Sequence, residues 1–240
     1  MDISKVPDGS RKVLRLKYCG AVIVAARTAS RMGGIDKVMA ELEGEPMILR
    51  TVRTFQTCEA IREIIIVTRE DLIIPIMGLC AGLEKVKAVV VGGSSRQESV
   101  ERGLNALSDK VKLVAVQDGA RPLITHAVID RTVRAAHSYG AAAPAIPVKD
   151  TIKVVTGGVV SSTPDRKTLQ AVQTPQVFDL AMLRGALKKA KADGAEVTDD
   201  CSAVERLGMS IKIVEGDERN IKVTTPMDLK IAKLLLEEMK

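Results

Sequence analysis

The chain reads Ala21-Val22-Ile23-Val24-Ala25-Ala26 and continues directly into Arg27-Thr28-Ala29-Ser30-Arg31-Met32-Gly33-Gly34-Ile35-Asp36-Lys37. The first run is short, apolar and rich in Val and Ile, which predicts a buried strand. The second run consists of small and basic residues, which predicts a loop whose backbone N–H groups can point at an anion. Arg31 and Lys37 add full positive charges to that loop. Together the two runs indicate an α/β fold in which a strand ends at a site for a nucleotide polyphosphate.

Strand-like runs and helical patterns alternate along most of the chain. The strand-like runs are Ala21–Ala26, Ile61–Val67, Val86–Val91, Val111–Val116 and Ala141–Val148. Apolar residues recur at helical spacing in Pro46–Cys58, Asp71–Gly82, Ser95–Leu107 and Thr125–Ser138. This alternation predicts a Rossmann-like, mainly parallel sheet with helices on both faces. Because such sheets bind ligands beyond the carboxyl ends of their strands, the segments that follow the strands are the candidate site.

One segment, Asp150–Gln176, interrupts the alternation. Its pattern is Thr151–Thr156, a turn at Gly157-Gly158, Val159–Thr163 and then Gln170–Gln173, which predicts a projecting β-arm. An isolated hairpin cannot bury both of its faces, so we expect the arm to meet a second copy in a homodimer. Beyond the arm we expect helices at Asp179–Ala192 and Asp199–Leu207, a strand at Ile211–Val214 and a last helix at Pro226–Met239. The expected organisation is a basic tail over residues 1–18 and one domain over residues 19–240, with a dimerisation arm at about 150–176.

Composition narrows the classes of function. The net charge of +6 could indicate a nucleic-acid-binding protein, but half of the excess positive charge lies in the tail. With two Phe, two Tyr and no Trp, the chain also lacks the aromatic residues on which bases stack. A transmembrane helix needs about 20 consecutive apolar residues, and no apolar stretch of the sequence approaches that length. The sequence therefore predicts neither a nucleic-acid nor a membrane partner. Two histidines and four scattered cysteines predict no protein metal site and favour a reducing cytoplasm.

Three segments that follow strands carry candidate binding residues. Gly92-Gly93-Ser94-Ser95-Arg96-Gln97-Glu98-Ser99 offers close backbone approach to a base or ribose, or simply a glycine turn with a serine N-cap. Asp118 and Arg121 can contact hydroxyls and a phosphate, or pair with each other, and a carboxylate beside a triphosphate can position Mg²⁺. Lys222 lies in the short extended run Arg219-Asn220-Ile221-Lys222-Val223-Thr224 and faces either solvent or the crevice.

The order and spacing of these segments resemble the 2-C-methyl-D-erythritol 4-phosphate cytidylyltransferase family, from about Cys19 to the end of the chain. The matching segments are Ala25-Ala26 with Arg31-Met32-Gly33 and Lys37, Gly92 to Ser99, Asp118-Gly119-Ala120-Arg121-Pro122, Pro147-Val148-Lys149-Asp150-Thr151, Thr174-Pro175-Gln176, Thr198-Asp199-Asp200, and Asn220-Ile221-Lys222-Val223-Thr224. The resemblance implies transfer of CMP from CTP to methylerythritol phosphate with release of pyrophosphate, in non-mevalonate isoprenoid biosynthesis, with Mg²⁺ bound mainly through the CTP phosphates.

The resemblance also implies a role for each matching residue. Arg31, Lys37 and Lys222 would be catalytic, holding the triphosphate and the α-phosphate. The nucleotide would be bound by Ala25, Ala26, Arg27, Thr28, Ala29, Gly92, Gly93, Ser99 and Gly119. Methylerythritol phosphate would be held by Asp118, Arg121, Thr151, Thr174 and, from the arm of the partner subunit, Arg166.

The loop departs from the family pattern Ala-Ala-Gly-x-Gly-x-Arg-Met, because Arg27 and Ala29 stand where glycines are usual. Either the loop has adapted, with Arg27 as an additional cation, or the protein is a catalytically impaired nucleotide-binding paralogue.

A ribitol 5-phosphate cytidylyltransferase is a further alternative. The turn Asp118-Gly119-Ala120-Arg121 is more similar to the Asp-Ala-Ala-Arg of the methylerythritol enzymes than to the Asp-Ser-Val-Arg of the ribitol enzymes.

Overall fold

The computed structural model describes residues 17–27 and 38–239. Its strands are β1 (Cys19–Ala25), β2 (Glu41–Leu42), β3 (Glu45–Pro46), β4 (Ile61–Thr68), β5 (Val86–Val91), β6 (Leu113–Asp118), β7 (Ala141–Pro147), β8 (Val154–Thr156), β9 (Val159–Ser162), β10 (Gln170–Val172), β11 (Gln176–Asp179) and β12 (Lys212–Glu215). Its α-helices are α1 (Met47–Thr57), α2 (Ile73–Leu79), α3 (Arg96–Asn105), α4 (His126–Tyr139), α5 (Leu180–Ala192), α6 (Asp200–Glu205) and α7 (Pro226–Glu237). Single 3₁₀ turns lie at Glu70–Leu72 and Arg166–Thr168.

Eight strands form the central sheet, in the order β10-β7-β11-β6-β1-β4-β5 with β12 paired to β7. The pairs β1–β4, β1–β6, β4–β5 and β7–β12 are parallel, whereas β10 and β11 run antiparallel to their neighbours. The predicted α/β fold with a mainly parallel sheet is confirmed. The antiparallel strand β11 was not predicted, because its four residues follow Pro175 and show no long apolar run.

Side chains of β1 alternate between two apolar layers. Ala21, Ile23 and Ala25 face a core built with α1, α2 and α4, whereas Val22 and Val24 face a core built with α3, α5 and α6. Because both faces of this strand are covered, its sequence is apolar throughout rather than alternating. A third, smaller cluster joins α7 to the β2–β3 ribbon. The two main layers hold the carboxyl ends of the parallel strands in fixed positions.

The segment Asp150–Gln176 divides into an outer and an inner part. In the outer part, β8 and β9 form a two-stranded hairpin around Gly157 and Gly158, which both have positive φ, and every residue of the two strands is exposed. The inner part differs from the prediction, since β10 pairs with β7 and therefore belongs to the central sheet. Its antiparallel register with β7 covers Gln170 to Val172, and Gln173, Thr174 and Gln176 are buried behind it.

Element ends also differ in detail from the sequence prediction. The predicted helix Asp71–Gly82 is a 3₁₀ turn followed by the shorter α2, and the predicted strand Val111–Val116 begins at Leu113. The run around Lys222 forms no strand. Within the described residues, no helix is long and apolar enough to cross a bilayer.

Candidate active site

The carboxyl ends of β1, β4, β5 and β6 lie side by side at one edge of the sheet. From β1 the chain passes to β4 and β5 on one side, then returns to β6 on the other side of β1. The strand order therefore reverses between β1 and β6, which is where open α/β sheets form a ligand crevice. Asp118, the last residue of β6, lies opposite Val24 of β1 in this register.

Five charged side chains meet at this crevice and are called the Asp118 cluster: Arg96, Asp118, Arg121, Asp200 and Lys222. Lys222 Nζ lies 2.7 Å from Asp118 Oδ2, and Arg121 Nε lies 3.8 Å from the same oxygen. Arg96 Nε lies 3.7 Å from Asp118 Oδ1, while Arg96 Nη2 donates to Asp200 Oδ2 at 2.7 Å. Three cations from separate parts of the chain thus surround one carboxylate.

The electrostatics of the cluster favour an ionised Asp118. Burial alone would raise the pKa of Asp118, but the charges of Lys222 and Arg96 outweigh burial and hold the pKa below its ordinary value. Burial lowers the pKa of Arg121, and the carboxylate of Asp118 opposes this shift. With two carboxylates and three cations, the cluster carries an excess positive charge that suits an anionic ligand.

Backbone and amide groups behind the cluster fix the position of Asp118. The backbone N–H of Asp118 donates to Thr174 Oγ1 at 3.1 Å, and Asn220 Nδ2 donates to the carbonyl of Thr174 at 2.9 Å. Arg121 Nη1 donates to the carbonyl of Asn220 at 2.6 Å. Thr174 and Asn220 are both buried, so this support is shielded from solvent. It joins the end of β6 to the segment that carries Lys222.

The glycine turn after β5 packs tightly against the end of β1. A Cβ at Gly92 would lie 2.4 Å from the Cβ of Ala26 and 2.9 Å from Ser99 Oγ, so only glycine fits. The backbone N–H of Gly93 donates to Ser99 Oγ at 3.0 Å, and Ser95 Oγ caps α3 by accepting from the Glu98 N–H at 3.0 Å. The serine N-cap that the sequence offered as the simpler interpretation is therefore present. The hydroxyl of Ser99 closes the turn.

The structure brings several of the predicted site residues to one cavity. Its walls include, within the described ranges, Val24, Ala25, Arg27, Val38, Arg96, Asp118, Ala120 and Lys222. Gly119 lies in the adjoining turn, where a Cβ would be 2.9 Å from Ile48 Cδ1 and 3.2 Å from the Cβ of Ala25. The predicted residues Ala25, Arg27, Asp118 and Lys222 are thus neighbours in space, although they are far apart in sequence.

Two predicted residues lie elsewhere in the subunit. Arg166 Nη1 donates to the carbonyl of Lys149 at 2.7 Å, and both Arg166 and Thr151 are exposed. Within the described part of the chain, no hydrogen bond or ion pair joins either residue to the Asp118 cluster. The predicted residues Thr28, Ala29, Arg31 and Lys37 lie outside the described residues, as does most of the basic tail.

Sequence reasoning gave no role to Arg96, Asp200 or Asn220. All three occur in segments that carried the family resemblance. Nothing in the sequence, however, indicates that Arg96 forms an ion pair with Asp200, about 100 residues later at the start of α6. One feature of the sequence could have identified Arg96. An arginine just inside the first turn of a predicted helix after a glycine turn is well placed to reach the carboxyl edge of the sheet.

Comparison with known proteins finds the family that the sequence resembles. Residues 19–238 match the family model described as IspD, 2-C-methyl-D-erythritol 4-phosphate cytidylyltransferase. A protein of that name from Symbiobacterium thermophilum is 44% identical over 219 residues, covering 90% of this chain and 92% of the relative. Another, from Caldanaerobacter subterraneus, is 42% identical over 227 residues, covering 91% of this chain and 98% of the relative.

Solved structures agree with the fold. The crystal structure of a 4-diphosphocytidyl-2C-methyl-D-erythritol synthase from Anaerococcus prevotii superposes with a TM-score of 0.84 at 30% identity, covering 92% of this chain and 99% of that one. A 2-C-methyl-D-erythritol 4-phosphate cytidylyltransferase from Thermus thermophilus gives a TM-score of 0.75 at 32% identity, covering 90% and 98% of the two chains. The match extends over nearly the whole domain and includes the segments that form the Asp118 cluster, so the chain belongs to the 2-C-methyl-D-erythritol 4-phosphate cytidylyltransferase family.

Proposed function

We propose that the Asp118 cluster carries the family reaction, transfer of CMP from CTP to 2-C-methyl-D-erythritol 4-phosphate in isoprenoid precursor biosynthesis. The products are 4-diphosphocytidyl-2-C-methyl-D-erythritol and pyrophosphate. The observation that carries this proposal is the convergence of Lys222, Arg96 and Arg121 on Asp118 at the reversal of strand order. Two negatively charged substrates must meet in such a crevice, and an excess of cations permits it.

The chemistry requires no general base. An oxygen of the methylerythritol phosphate is already an anionic nucleophile, and it attacks the α-phosphorus of CTP while the bond to the β-phosphate oxygen breaks. The protein must hold the two phosphates in line and neutralise the charge on the α-phosphate and the departing pyrophosphate. We assign the α-phosphate to Lys222 and the triphosphate to Arg31 and Lys37. Support for Lys222 is its place on the cavity wall.

The nucleotide is assigned to the loops between β1 and α3. Support for this assignment is the close packing of Gly92 on Ala26, the residue that follows Ala25 of the cavity wall, which brings the backbone of the glycine turn next to the end of β1. We assign this pocket to Ala25, Ala26, Gly92, Gly93, Ser99 and Gly119, with Arg27, Thr28 and Ala29 on the phosphate side. In this proposal Arg27 is an additional cation toward the phosphates, which favours the adapted loop over the impaired paralogue.

The polyol phosphate is assigned to the other side of Asp118. Asp118, with Arg121 beside it and Thr174 behind it, presents one hydroxyl-binding carboxylate and one phosphate-binding guanidinium. Thr151 also belongs to this site in the proposal, and Arg166 completes it from the arm of the partner subunit in a homodimer. Two observations support the dimer: the exposed valines of the β8–β9 hairpin, and the lack of a hydrogen bond or ion pair between Arg166 and its own subunit's cluster within the described residues.

Mg²⁺ fits this site as an ion held mainly by substrate phosphates. Among the described residues no group of three or more His, Cys, Asp or Glu side chains is arranged to hold a metal, and Asp118 is the one carboxylate on the described cavity wall. Mg²⁺ keeps most of its water and phosphate ligands and needs only one or two protein carboxylates. When bound, the ion would neutralise charge on the triphosphate, and Asp118 would be its protein contact.

We also propose that the protein works in the reducing cytoplasm. All four cysteines, at positions 19, 58, 80 and 201, are free thiols buried in the structure. Burial raises the pKa of Cys58 and Cys80 to about 11, so neither thiol is ionised at neutral pH. Inert, unpaired thiols are typical of intracellular proteins.

The experiment that tests the function compares two polyol phosphates. Purified protein is incubated with CTP, Mg²⁺ and either 2-C-methyl-D-erythritol 4-phosphate or ribitol 5-phosphate, and pyrophosphate release is followed. We expect turnover with the first and little with the second. The reverse preference would identify a ribitol enzyme, and folded protein that binds CTP without turning over either substrate would identify an impaired paralogue.

A further inference from the structure

Arg96 stands between the two carboxylates of the Asp118 cluster. Its Nη2 donates to Asp200 Oδ2 at 2.7 Å, and its Nε lies 3.7 Å from Asp118 Oδ1. The guanidinium therefore forms a short hydrogen bond with Asp200 and a longer ion pair with Asp118. The planar fork of an arginine side chain fixes the direction of the second contact once the first is made.

Asp200 is a fixed anchor for this guanidinium. It is fully buried at the start of α6, and its backbone N–H donates to Gln176 Oε1 at 3.1 Å. The preceding residue, Asp199, caps α6 by accepting from the N–H of Ser202 at 2.9 Å and also accepts from Gln176 Nε2 at 2.7 Å. Gln176 belongs to β11 of the central sheet. The start of α6 is thus bound to the sheet by one glutamine side-chain amide, whose oxygen accepts from Asp200 and whose nitrogen donates to Asp199.

The three cations around Asp118 differ in their freedom to move. The side chain of Lys222 is 42% exposed, whereas those of Arg96 and Arg121 are 16% and 11% exposed. Lys222 is therefore the cation that can turn from Asp118 to an incoming phosphate. Arg96 and Arg121 are each held by a second hydrogen bond, to Asp200 Oδ2 and to the carbonyl of Asn220. Burial alone would lower the pKa of Arg96, but the charges of Asp200 and Asp118 reverse the shift, so Arg96 stays charged throughout.

We propose that Arg96, anchored by Asp200, is a positioning residue that holds Asp118 ionised and aligned when Lys222 leaves it for the α-phosphate. This inference rests on the proposed function of Asp118 and Lys222. It assigns to Arg96 an effect that acts through Asp118 rather than through direct contact with either substrate. Loss of Arg96 would leave Lys222 as the main partner of Asp118 and would hold the ammonium away from the nucleotide.

The test is a double-mutant cycle between Arg96 and Asp118, with pyrophosphate release as the readout. In the otherwise unchanged protein, Arg96→Gln is expected to lower kcat/KM for methylerythritol phosphate by about 100-fold, the size of effect that a misplaced catalytic group produces. In the Asp118→Asn background the same change is expected to cost less than about 3-fold, because the group it positions is already gone. Arg96→Lys keeps the charge but loses the fork, and should recover part of the activity.

The outcomes separate three possibilities. Equal losses in the two backgrounds, or full activity of Arg96→Gln, would overturn the positioning role while leaving the proposed function intact. Failure of the unchanged protein to transfer CMP would overturn the proposed function itself and the positioning role with it. If Arg96→Gln does not fold, the same cycle with Asp200→Asn decides the question by the same criterion.

A matched control is Glu63→Gln, which removes a different buried carboxylate. Glu63 accepts from the N–H and Oγ of Ser108 at 2.8 and 2.6 Å, near the amino end of β4, at the opposite edge of the sheet from the Asp118 cluster. We expect Glu63→Gln to lower thermal stability without changing kcat/KM. Loss of activity by this control in proportion to its loss of stability would show that Arg96 and Asp200 act only through the fold, and would overturn the inference.

Discussion

Lys222 Nζ lies 2.7 Å from Asp118 Oδ2, across the two sides of the crevice. The contact is held by the backbone, since the N–H of Val223 donates to the carbonyl of Ala120 at 2.9 Å. The extended segment before α7 is therefore attached to the turn after β6 next to the ion pair. Val223 is fully buried in the cluster that joins α7 to the β2–β3 ribbon, so packing sets the backbone position of Lys222 while its side chain is 42% exposed.

Gly92→Ala tests the close approach of the glycine turn to Ala26. Its Cβ would fall 2.4 Å from the Cβ of Ala26, which forces the turn away from β1. We expect a loss of about 1–3 kcal/mol in the free energy of unfolding and a higher KM for CTP. Urea unfolding and steady-state kinetics measure the two effects.

Gly78→Ala is the control for that substitution. Gly78 lies inside α2, and a Cβ there would meet nothing within 4 Å. We expect this change to stabilise the protein by about 0.5–1 kcal/mol and to leave KM for CTP unchanged. Equal effects of the two substitutions would contradict the tight packing described at Gly92.

Asp228→Asn tests a pH-dependent helix cap. The N–H and Oγ1 of Thr224 and the N–H of Thr225 each donate to Asp228 Oδ2 at 2.8 Å. Burial alone would raise the pKa of Asp228, but these hydrogen bonds outweigh it and place the pKa below its ordinary value. Because the folded-state pKa is the lower one, the carboxylate stabilises the fold above about pH 4 and loses that effect as the pH falls.

We therefore expect Asp228→Asn to cost about 1 kcal/mol of unfolding free energy at pH 7 and less at pH 3. Urea unfolding at the two pH values measures the difference. Asp109→Asn, at an exposed loop position, serves as the control and should cost little at either pH. A cost for Asp228→Asn that does not change with pH would show that the cap is not ionic.

Subunit mixing tests the proposed role of Arg166 in the partner's site. Arg166→Ala and Lys222→Ala should each be nearly inactive alone. In a mixed dimer, one site would combine an intact Lys222 with an intact Arg166 from the partner. Random co-assembly should therefore restore about a quarter of the normal activity, because half of the dimers are mixed and each has one complete site.

Mixing would give a different result if Arg166 did not act in the partner's site. If Arg166 serves its own subunit, each site of the mixed dimer lacks one residue, and mixing restores nothing. Differently tagged subunits purified in sequence confirm that mixed dimers are present in the assay. A protein that remains monomeric would also contradict the dimer proposed from the exposed hairpin.

Replacing both unusual loop residues tests whether the loop has adapted. Arg27 lies on the cavity wall with Lys222 and Asp118. If it is an additional cation, Arg27→Gln should raise KM for CTP by about 10-fold, as expected for the loss of one charged contact. The double change Arg27→Gly with Ala29→Gly should bring no large gain. A sharp rise in activity on restoring the glycines would indicate instead that the natural loop is impaired.

The sequence predicted the parallel core because its strands are short runs in which Val, Ile and Ala predominate. β1 and most of β4 are buried, and their apolar character follows from that position, whereas β5 is the partly exposed edge strand. The antiparallel strands β10 and β11 were not predicted as parts of the sheet. β10 and β11 are only three and four residues long, and their pairing with β7 joins positions that are distant in sequence.

The same limit applies to the candidate site. Asp118 ends the apolar strand β6, so its position and the family resemblance together identified it, whereas Lys222 was identified by the family resemblance. Arg96 and Asp200 are joined by tertiary structure alone, through α3 and α6. No local pattern distinguishes such a pair from surface charges, and its burial is visible only once the helices are packed.

Pyrophosphate release from CTP in the presence of Mg²⁺ and methylerythritol phosphate, measured for the unchanged protein, Lys222→Ala and Lys230→Ala, tests the central claim most directly. Lys230 is an exposed lysine on α7 and serves as the matched control. We expect the unchanged protein and Lys230→Ala to turn over alike, and Lys222→Ala to lose about 10² to 10³ in rate. Full activity of Lys222→Ala, or no turnover by the folded unchanged protein, would contradict the proposal that the cations around Asp118 carry cytidylyl transfer.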